Sequence, residues 1–131
     1  MRPAMIPTIA MSMALAACAS TPAPPTVFNG EATTRLGETA RIGDVSIRPI
    51  EVVQDSRCPV DVQCVHAGFF HVRVEIRTAR EARAEVMELR RGIALEDARS
   101  LRLTAVTPPR RIAPDQGPLD YQMTFALGPG D

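Results

Sequence analysis

A strict alternation of apolar and polar side chains is the feature of this sequence that most restricts its fold. Between positions 70 and 77 every second residue is apolar, and these residues are Phe70, Val72, Val74 and Ile76. The positions between them hold His, Arg, Glu and Arg. A period of two places the two sets on opposite faces of a β-strand, with the apolar face buried. The segment therefore predicts a half-buried strand.

Three further segments show the same period. Apolar residues alternate over positions 121–127 and over 101–105, and two prolines that begin at Pro108 end the second run. The third segment starts at Val45, and Pro49 interrupts it and shifts the phase of its apolar positions. A Pro inside a strand indicates either an edge position or a bulge.

The segments between these runs are less regular. Residues 36–42 predict a short early strand that ends at a Gly-Asp turn. Residues 79–91 fit a helix or a strand, and a strand from about 84 to 90 is preferred because strands that follow each other in sequence usually pair. Residues 92–98 predict a turn with at most one helical turn. Residues 107–119 contain four prolines and predict a long crossover between two strands.

These segments together predict an all-β fold. Five to seven antiparallel strands with polar outer faces are typical of a small β-sandwich or a partly open barrel. The strands fall within residues 35–131, which we interpret as a single β domain. A domain of fewer than about one hundred residues has a marginal core, and a covalent link would stabilise it.

The first eighteen residues have the pattern of a secretory signal. Arg2 supplies a positive charge, and the uncharged stretch that follows is too short to span a bilayer as a mature helix. It ends in Leu15-Ala16-Ala17-Cys18, which resembles the lipobox of bacterial lipoproteins. In that family the Cys thiol receives a diacylglyceryl group and the peptide bond before it is cut. The resemblance implies a signal peptide at 1–17 and a lipidated Cys18. The alternative is an ordinary signal peptide that contains a chance Cys.

The residues after Cys18 predict an extended tether. Residues 18–34 are rich in Pro and in small polar side chains, which is typical of a flexible linker. An Asp directly after the lipidated Cys, known as an inner-membrane retention signal, is absent here. We therefore expect a lipid-anchored protein of the bacterial cell envelope, on the periplasmic face of the outer membrane rather than on the inner membrane.

Charge and aromatic content argue against a nucleic-acid partner. Without residues 1–17 the chain has fourteen Arg against fifteen acidic residues, and the two signs are interspersed. Such a chain has no basic field that attracts phosphates. Four Phe, one Tyr and no Trp provide no stacking platform either.

The two remaining cysteines, Cys58 and Cys64, predict a disulfide bond. They share an oxidising compartment outside the inner membrane, where thiols pair. Closing the seven-residue ring removes about 2.4 kcal/mol of unfolded-chain entropy. The alternative is a metal site formed by Cys58, Cys64 and His66, with His71 as a further candidate. Its spacing is poor, since zinc motifs place paired Cys two to four residues apart, and His71 falls on the outer face of the predicted strand.

A catalytic site in the same loop is the weaker hypothesis. Asp55, Ser56 and Asp61 add the required residue types to the Cys and His residues. However, the sequence contains no nucleophile elbow, no glycine-rich phosphate loop and no carboxylate pair. We interpret Ser56 as a turn former and Arg57 as a surface or cross-strand partner, and we expect neither enzyme activity nor a cofactor.

The run DSRCPVDVQCVHAG, residues 55–68, resembles a D-S-R-C-P-x-x-x-x-C-x-x-A-G motif of small, uncharacterised bacterial secreted and lipid-anchored proteins. The resemblance extends loosely over residues 35–127. It implies an all-β fold with Cys58 and Cys64 bridged, and it implies no activity. The position of His66 usually holds Trp in that family, so the resemblance suggests that His66 takes the place of a core-capping side chain.

We therefore expect a non-catalytic binding or structural accessory module of the cell envelope. Its contacts would be the membrane, through the lipid anchor, and an envelope protein partner whose identity the sequence does not indicate. The alternative function is a periplasmic metal-binding protein that uses Cys58, Cys64 and His66.

Overall fold

A computed structural model of the protein describes residues 30–112 and 117–130, which form eight β-strands and no helix. The bounds of the strands, in chain order, are β1 Gly30–Arg35, β2 Ala40–Ile42, β3 Val45–Asp55, β4 Phe70–Arg77, β5 Ala82–Glu88, β6 Gly92–Ala94, β7 Arg99–Thr107 and β8 Gln122–Pro129. The described residues contain no helix, and therefore no helix that is long and apolar enough to cross a membrane.

The strands form two antiparallel four-stranded sheets. One sheet has the order β1-β8-β7-β6, and the other has the order β2-β3-β4-β5. The edges of the sheets meet on both sides, because β1 lies beside β2 and β5 lies beside β6. Each strand thus neighbours the strands before and after it in sequence, and β8 returns to β1. This confirms the predicted small antiparallel sandwich, with eight strands where the sequence predicts five to seven.

The core lies between the sheets and is formed by the alternating residues. The four apolar side chains of β4 that begin with Phe70 are at most 1% exposed, as are those of Leu101, Leu103, Met123 and Phe125 from the opposite sheet. The strand prediction for 84–90 is confirmed by β5, whose Met87 is fully buried. Burial of side chains of this size stabilises a fold by about 1.5–3 kcal/mol each.

Pro49 lies at a bulge on an inner strand. β3 has β2 on one side and β4 on the other, and its register against β4 shifts between Pro49 and Glu51 and again after Val52. The bulge explains the shift in apolar phase. β2 pairs with residues 45–47 only, so among the described residues no strand lies beside Pro49 on that side, and the proline meets both conditions that the sequence allowed.

Three segment predictions require correction. β1 begins at Gly30 and pairs along its length with β8, so residues 30–34 belong to the domain and not to the tether assigned to 18–34. β1 is not predicted by the sequence because its inward residues, Ala32 and Thr34, are too small or too polar to mark a buried face. β6 forms at Gly92–Ala94, within the predicted turn. The chain after Thr107 joins two neighbouring strands, β7 and β8, and does not cross the sandwich.

Charged side chains close the side of the sandwich where β5 meets β6. Arg83 and Glu85 pair with Ile76 and Val74 of β4, so they extend from the same face as the core residues. The Arg83 guanidinium lies 3.2 Å from the Glu85 carboxylate and donates a hydrogen bond to the Ala94 carbonyl of β6. An ionic strip therefore links the edge strands of the two sheets.

The sandwich has two ends that differ in character. The N-terminal end contains Gly30 and the turns at 43–44 and 95–98, and there Arg99 binds the carboxylates of Asp44 and Asp97. The opposite end, called the loop end here, is formed by the connections 56–69, 89–91 and 108–112. An eight-residue strand such as β4 separates the two ends by about 26 Å.

Candidate functional site: the loop end

The disulfide bond lies at the loop end. Cys58 and Cys64 are joined with an S–S distance of 2.08 Å and a Cα–Cα distance of 5.9 Å, which confirms the predicted pairing. Both sulfur atoms are used in this bond, so neither is a thiolate that could bind a metal ion. His66, the third residue of the alternative metal site, is exposed, so it does not cap the core. Among residues 30–112 and 117–130, no group of three His, Cys, Asp or Glu side chains is placed to hold a metal ion.

The loop begins as a continuation of the β3–β4 pair. Beyond Asp55, the Ser56 amide donates to the Phe69 carbonyl and the Cys58 amide donates to the Ala67 carbonyl. Gly68 lies between these bonds with φ of +74°, and a Cβ there would lie 1.8 Å from the Ser56 carbonyl oxygen. Only glycine allows so close an approach of two backbone segments. The chain therefore bends between His66 and His71. The rule that successive side chains of a straight strand point to opposite faces does not apply to these two residues.

Arg57 is the centre of the loop end. Its side chain is 12% exposed and its guanidinium forms a bidentate ion pair with Asp55, at 2.8 Å for both contacts. The same group donates to the carbonyls of Val106 and Pro108, at 3.2 and 3.1 Å. It also lies 5.2 Å from the ring centroid of Phe70. Arg57 thus fastens the disulfide loop to the end of β7, and the prediction of a surface or cross-strand partner missed this role.

Asp55 is shared between Arg57 and Tyr121. The Tyr121 hydroxyl donates a 2.8 Å hydrogen bond to the Asp55 carboxylate, whose side chain is 9% exposed. Burial, the largest single influence, raises the pKa of Asp55, but the hydrogen bonds from Arg57 and Tyr121 together hold it below its ordinary value. Burial, followed by the hydrogen bond to Asp55, raises the pKa of Tyr121 to about 12. The site is therefore an ionised carboxylate held by a cation and a neutral phenol.

Tyr121 is the single tyrosine of the chain, so its ionisation can be followed without interference. We expect the phenolate absorbance of the folded protein to rise with a midpoint near pH 12, and that of the protein in urea near pH 10. Because the folded-state pKa is the higher one, this tyrosine stabilises the fold fully below pH 10, and the contribution is lost as pH rises towards 12. Asp55→Asn should lower the native midpoint. If the phenolate absorbance of the folded protein rose with a midpoint near pH 10 while the circular dichroism stayed unchanged, the buried hydrogen bond between Tyr121 and Asp55 would be ruled out.

A second set of hydrogen bonds joins the two long loops. The Arg110 guanidinium donates to the Arg57 carbonyl, and the Val60 amide donates to the Arg110 carbonyl. The Asp61 carboxylate accepts a bond from the Ile112 amide at 3.1 Å. The disulfide loop and the chain after β7 therefore form one composite surface, although fifty residues of sequence separate them.

This composite surface exposes apolar side chains. Their exposed fractions are 59% for Val60, 40% for Val62, 95% for Val65 and 59% for Ile112. Single exposed apolar residues are common on protein surfaces, but four of them on two joined loops make this surface a candidate interaction site. We call these four residues the apolar patch.

A groove runs beside the patch, between the composite loops and the turn that follows β5. It consists of two adjoining cavities of about 230 and 280 Å³. Arg57, Cys58, Leu89 and Arg90 line both of them, and the second cavity also reaches Arg110 and the end of β7. The groove is open and combines apolar and basic groups.

The residue types considered for catalysis do not form a catalytic group. The Ser56 hydroxyl donates to the Phe69 carbonyl and accepts a bond from the Phe69 amide, which is the role of a turn former. His71 lies on the outer face of β4, as predicted, with Nδ1 3.3 Å from the Gln54 side-chain oxygen. The Asp61 carboxylate binds the backbone of the second loop. The Gln54 amide links two of these residues, since it donates to the Ser56 hydroxyl at 3.2 Å and its oxygen lies next to His71.

Removal of the disulfide should destabilise the fold measurably. We expect the Cys58→Ser/Cys64→Ser variant to lose about 2.4 kcal/mol of unfolding free energy, because the seven-residue ring no longer restricts the unfolded chain. Urea unfolding of the oxidised protein, the reduced protein and the variant would measure this loss. The reduced protein should match the variant. A loss below about 0.5 kcal/mol would mean that the contacts of Arg57 and Asp61 hold the loop without the bridge.

The chain matches no protein-family model, and searches of curated proteins and of solved structures find no significant match.

Proposed function

We propose that this protein is a lipid-anchored binding module of the bacterial cell envelope, which presents its loop end to a protein partner. The observation that carries the proposal is the apolar patch, defined above by Val60, Val62, Val65 and Ile112, on two loops that are held rigid. Rigid loops with exposed apolar groups bind partners at a lower entropic cost than mobile loops do. No catalytic activity is part of the proposal.

The direction in which the chain enters the domain supports this arrangement. Gly30 begins β1 at the N-terminal end, where it pairs with Leu127, and the apolar patch lies at the other end. Twelve residue steps separate Cys18 from Gly30, and an extended chain covers at most about 3.6 Å per step, or about 40 Å. An anchor at Cys18 would thus attach the domain at its N-terminal end, within about 40 Å of the membrane, and leave the loop end at the far end from the point of attachment.

The chemistry of the patch also favours a protein partner over a lipid surface. Its apolar side chains are short and branched, and the loop between them contains Asp61; the exposed Phe69 of the same loop is stacked on the His71 ring. Membrane-interface segments instead rely on Trp, Phe and Leu together with basic residues. An apolar centre with a polar rim is the usual composition of a protein–protein interface.

The anchor can be tested by mass spectrometry. We expect the N-terminal peptide of the protein from its native host to begin at Cys18 and to carry acyl chains, and we expect the protein in the membrane fraction. A Cys18→Ser variant should keep its signal peptide and lack the acyl mass. Recovery of the unmodified wild-type protein in the soluble fraction would overturn the lipid-anchor part of the proposal.

The docking surface can be tested by site-specific photo-crosslinking in intact cells. A photo-reactive amino acid at Val65 should produce a discrete crosslinked species, because this side chain is 95% exposed at the centre of the loop. The matched control carries the same amino acid at Glu96, which is exposed at the N-terminal end. Absence of a species at Val65, or the same species at both positions, would overturn the docking part of the proposal.

A further inference from the structure

The end of β7 lines the groove. In the parts of the chain that the structure describes, β6 pairs with β7 only as far as Arg102, and Leu89 forms a single bridge with Leu103. Beyond that point residues 104–106 line the groove, and the carbonyls of Leu103 and Val106 already accept hydrogen bonds from the Arg90 amide and the Arg57 guanidinium. This part of β7 therefore forms the floor of the groove, and side chains on the walls are the groups that can hold a ligand.

The groove also has a net positive charge. Arg57 lies at its base but is neutralised by Asp55. Arg90 and Arg110 both line the groove. Glu88 is its acidic member, and the Glu88 carboxylate lies 3.2 Å from the guanidinium of Arg91. Two guanidinium groups on the walls of the groove favour a ligand that contains carboxylates.

The backbone at Arg90 strengthens the case for a ligand. Arg90 has φ of +70°, and its amide donates to the Leu103 carbonyl where the chain passes from one sheet to the other. The left-handed region costs a non-glycine residue about 1 kcal/mol or more, and glycine or asparagine would fit this position better. An Arg at this position directs a charged side chain to the groove at a conformational cost, and such backbone outliers cluster at ligand sites.

We propose that this groove binds an extended acidic segment of the protein partner, with its carboxylates at Arg90 and Arg110. Residues 104–106 form about 10 Å of the groove floor, which is the length of three residues of an extended peptide. The inference rests on the proposed docking function and names the chemistry of the partner. The apolar patch beside the groove would contact the surface that surrounds the segment.

The test uses the purified full chain and two labelled hexapeptides, both acetylated and amidated at their ends. One peptide alternates Val and Glu, and the other alternates Val and Lys. Fluorescence anisotropy should show saturable binding of the acidic peptide, weakened by salt, and no saturable binding of the basic one. Arg90→Asn should weaken binding about tenfold, because a charge-assisted contact is lost while the residue still tolerates the left-handed backbone.

The matched control is Arg41→Asn, which removes the same charge from an exposed position on β2. Arg41 lies outside both cavities, so binding should change less than twofold. Equal binding of the two peptides, or an equal effect of the two substitutions, would overturn the inference. If the acidic peptide does not bind but crosslinks persist at Val65, the proposal of an acidic partner segment is wrong and the proposed docking function stands. Loss of the Val65 crosslinks overturns the docking function whatever the peptides show.

Discussion

Arg57→Ala is expected to lower the unfolding free energy by about 3–5 kcal/mol, because it leaves the Asp55 carboxylate buried without its cation. The same change removes the donors for the carbonyls of Val106 and Pro108, so the second loop loses its attachment to the first. Urea unfolding followed by circular dichroism would measure the loss. For a fold of this size, such a change is a large fraction of the total stability.

Two comparison variants isolate the buried position as the cause. Arg73→Ala removes an ion pair of similar length, 3.1 Å to Glu51, but its two side chains are 49% and 59% exposed, so the loss should stay below about 1 kcal/mol. Asp55→Asn keeps a hydrogen-bonding group beside Arg57 and Tyr121 and should fall between these values. Similar losses for Arg57→Ala and Arg73→Ala would show that Arg57 does not hold the loop end together.

The second large effect is expected at Gly68. Gly68→Ala should destabilise the fold by about 2–5 kcal/mol, because the added Cβ meets the Ser56 carbonyl oxygen at 1.8 Å and the residue also has positive φ. The clash forces apart the first backbone hydrogen bonds of the loop, between Ser56 and Phe69 and between Cys58 and Ala67. Urea unfolding would measure the cost, and hydrogen exchange at the Ser56 and Cys58 amides would report the local opening.

Gly37 provides the control for this substitution. Its φ is +79°, close to that of Gly68, but a Cβ there would have nothing within 4 Å. Gly37→Ala should therefore cost only the backbone term, about 1–2 kcal/mol. If the two substitutions cost the same, the close approach at Ser56 is relieved without loss of stability, and the role assigned to Gly68 is wrong.

The strands that could be predicted from the sequence are those with one face in the core. Alternation over 70–77 and 101–105 reports directly on burial, so these segments were located within one or two residues. β1 and β6 could not be found in this way. The inward residues of β1 are small or polar, and β6 has only three residues, which are too few to show a recognisable alternation.

The loop end was predictable only in part. The disulfide follows from the count of cysteines and from the compartment, so Cys58 and Cys64 were paired correctly. The role of Arg57 depends on Val106 and Pro108, fifty residues away, and no spacing within the sequence indicates that contact. The apolar residues at 60, 62, 65 and 112 were missed for the same reason, because their joint exposure is a property of two loops that meet only in the fold.

The ionic strip at β5 has a consequence for how copies of this protein behave when they are crowded together. A second copy that extended the sheet at the β5 edge would have to cover Arg83 and Glu85 with its own strand, and the carbonyl of Ala94 already occupies the guanidinium. Inward-facing charges on an edge strand oppose edge-to-edge polymerisation. We expect this arrangement to protect the exposed apolar row on the opposite face of the same strand, which is formed by Ala82, Ala84 and Val86. Neutralising substitutions at Arg83 and Glu85 would remove this safeguard.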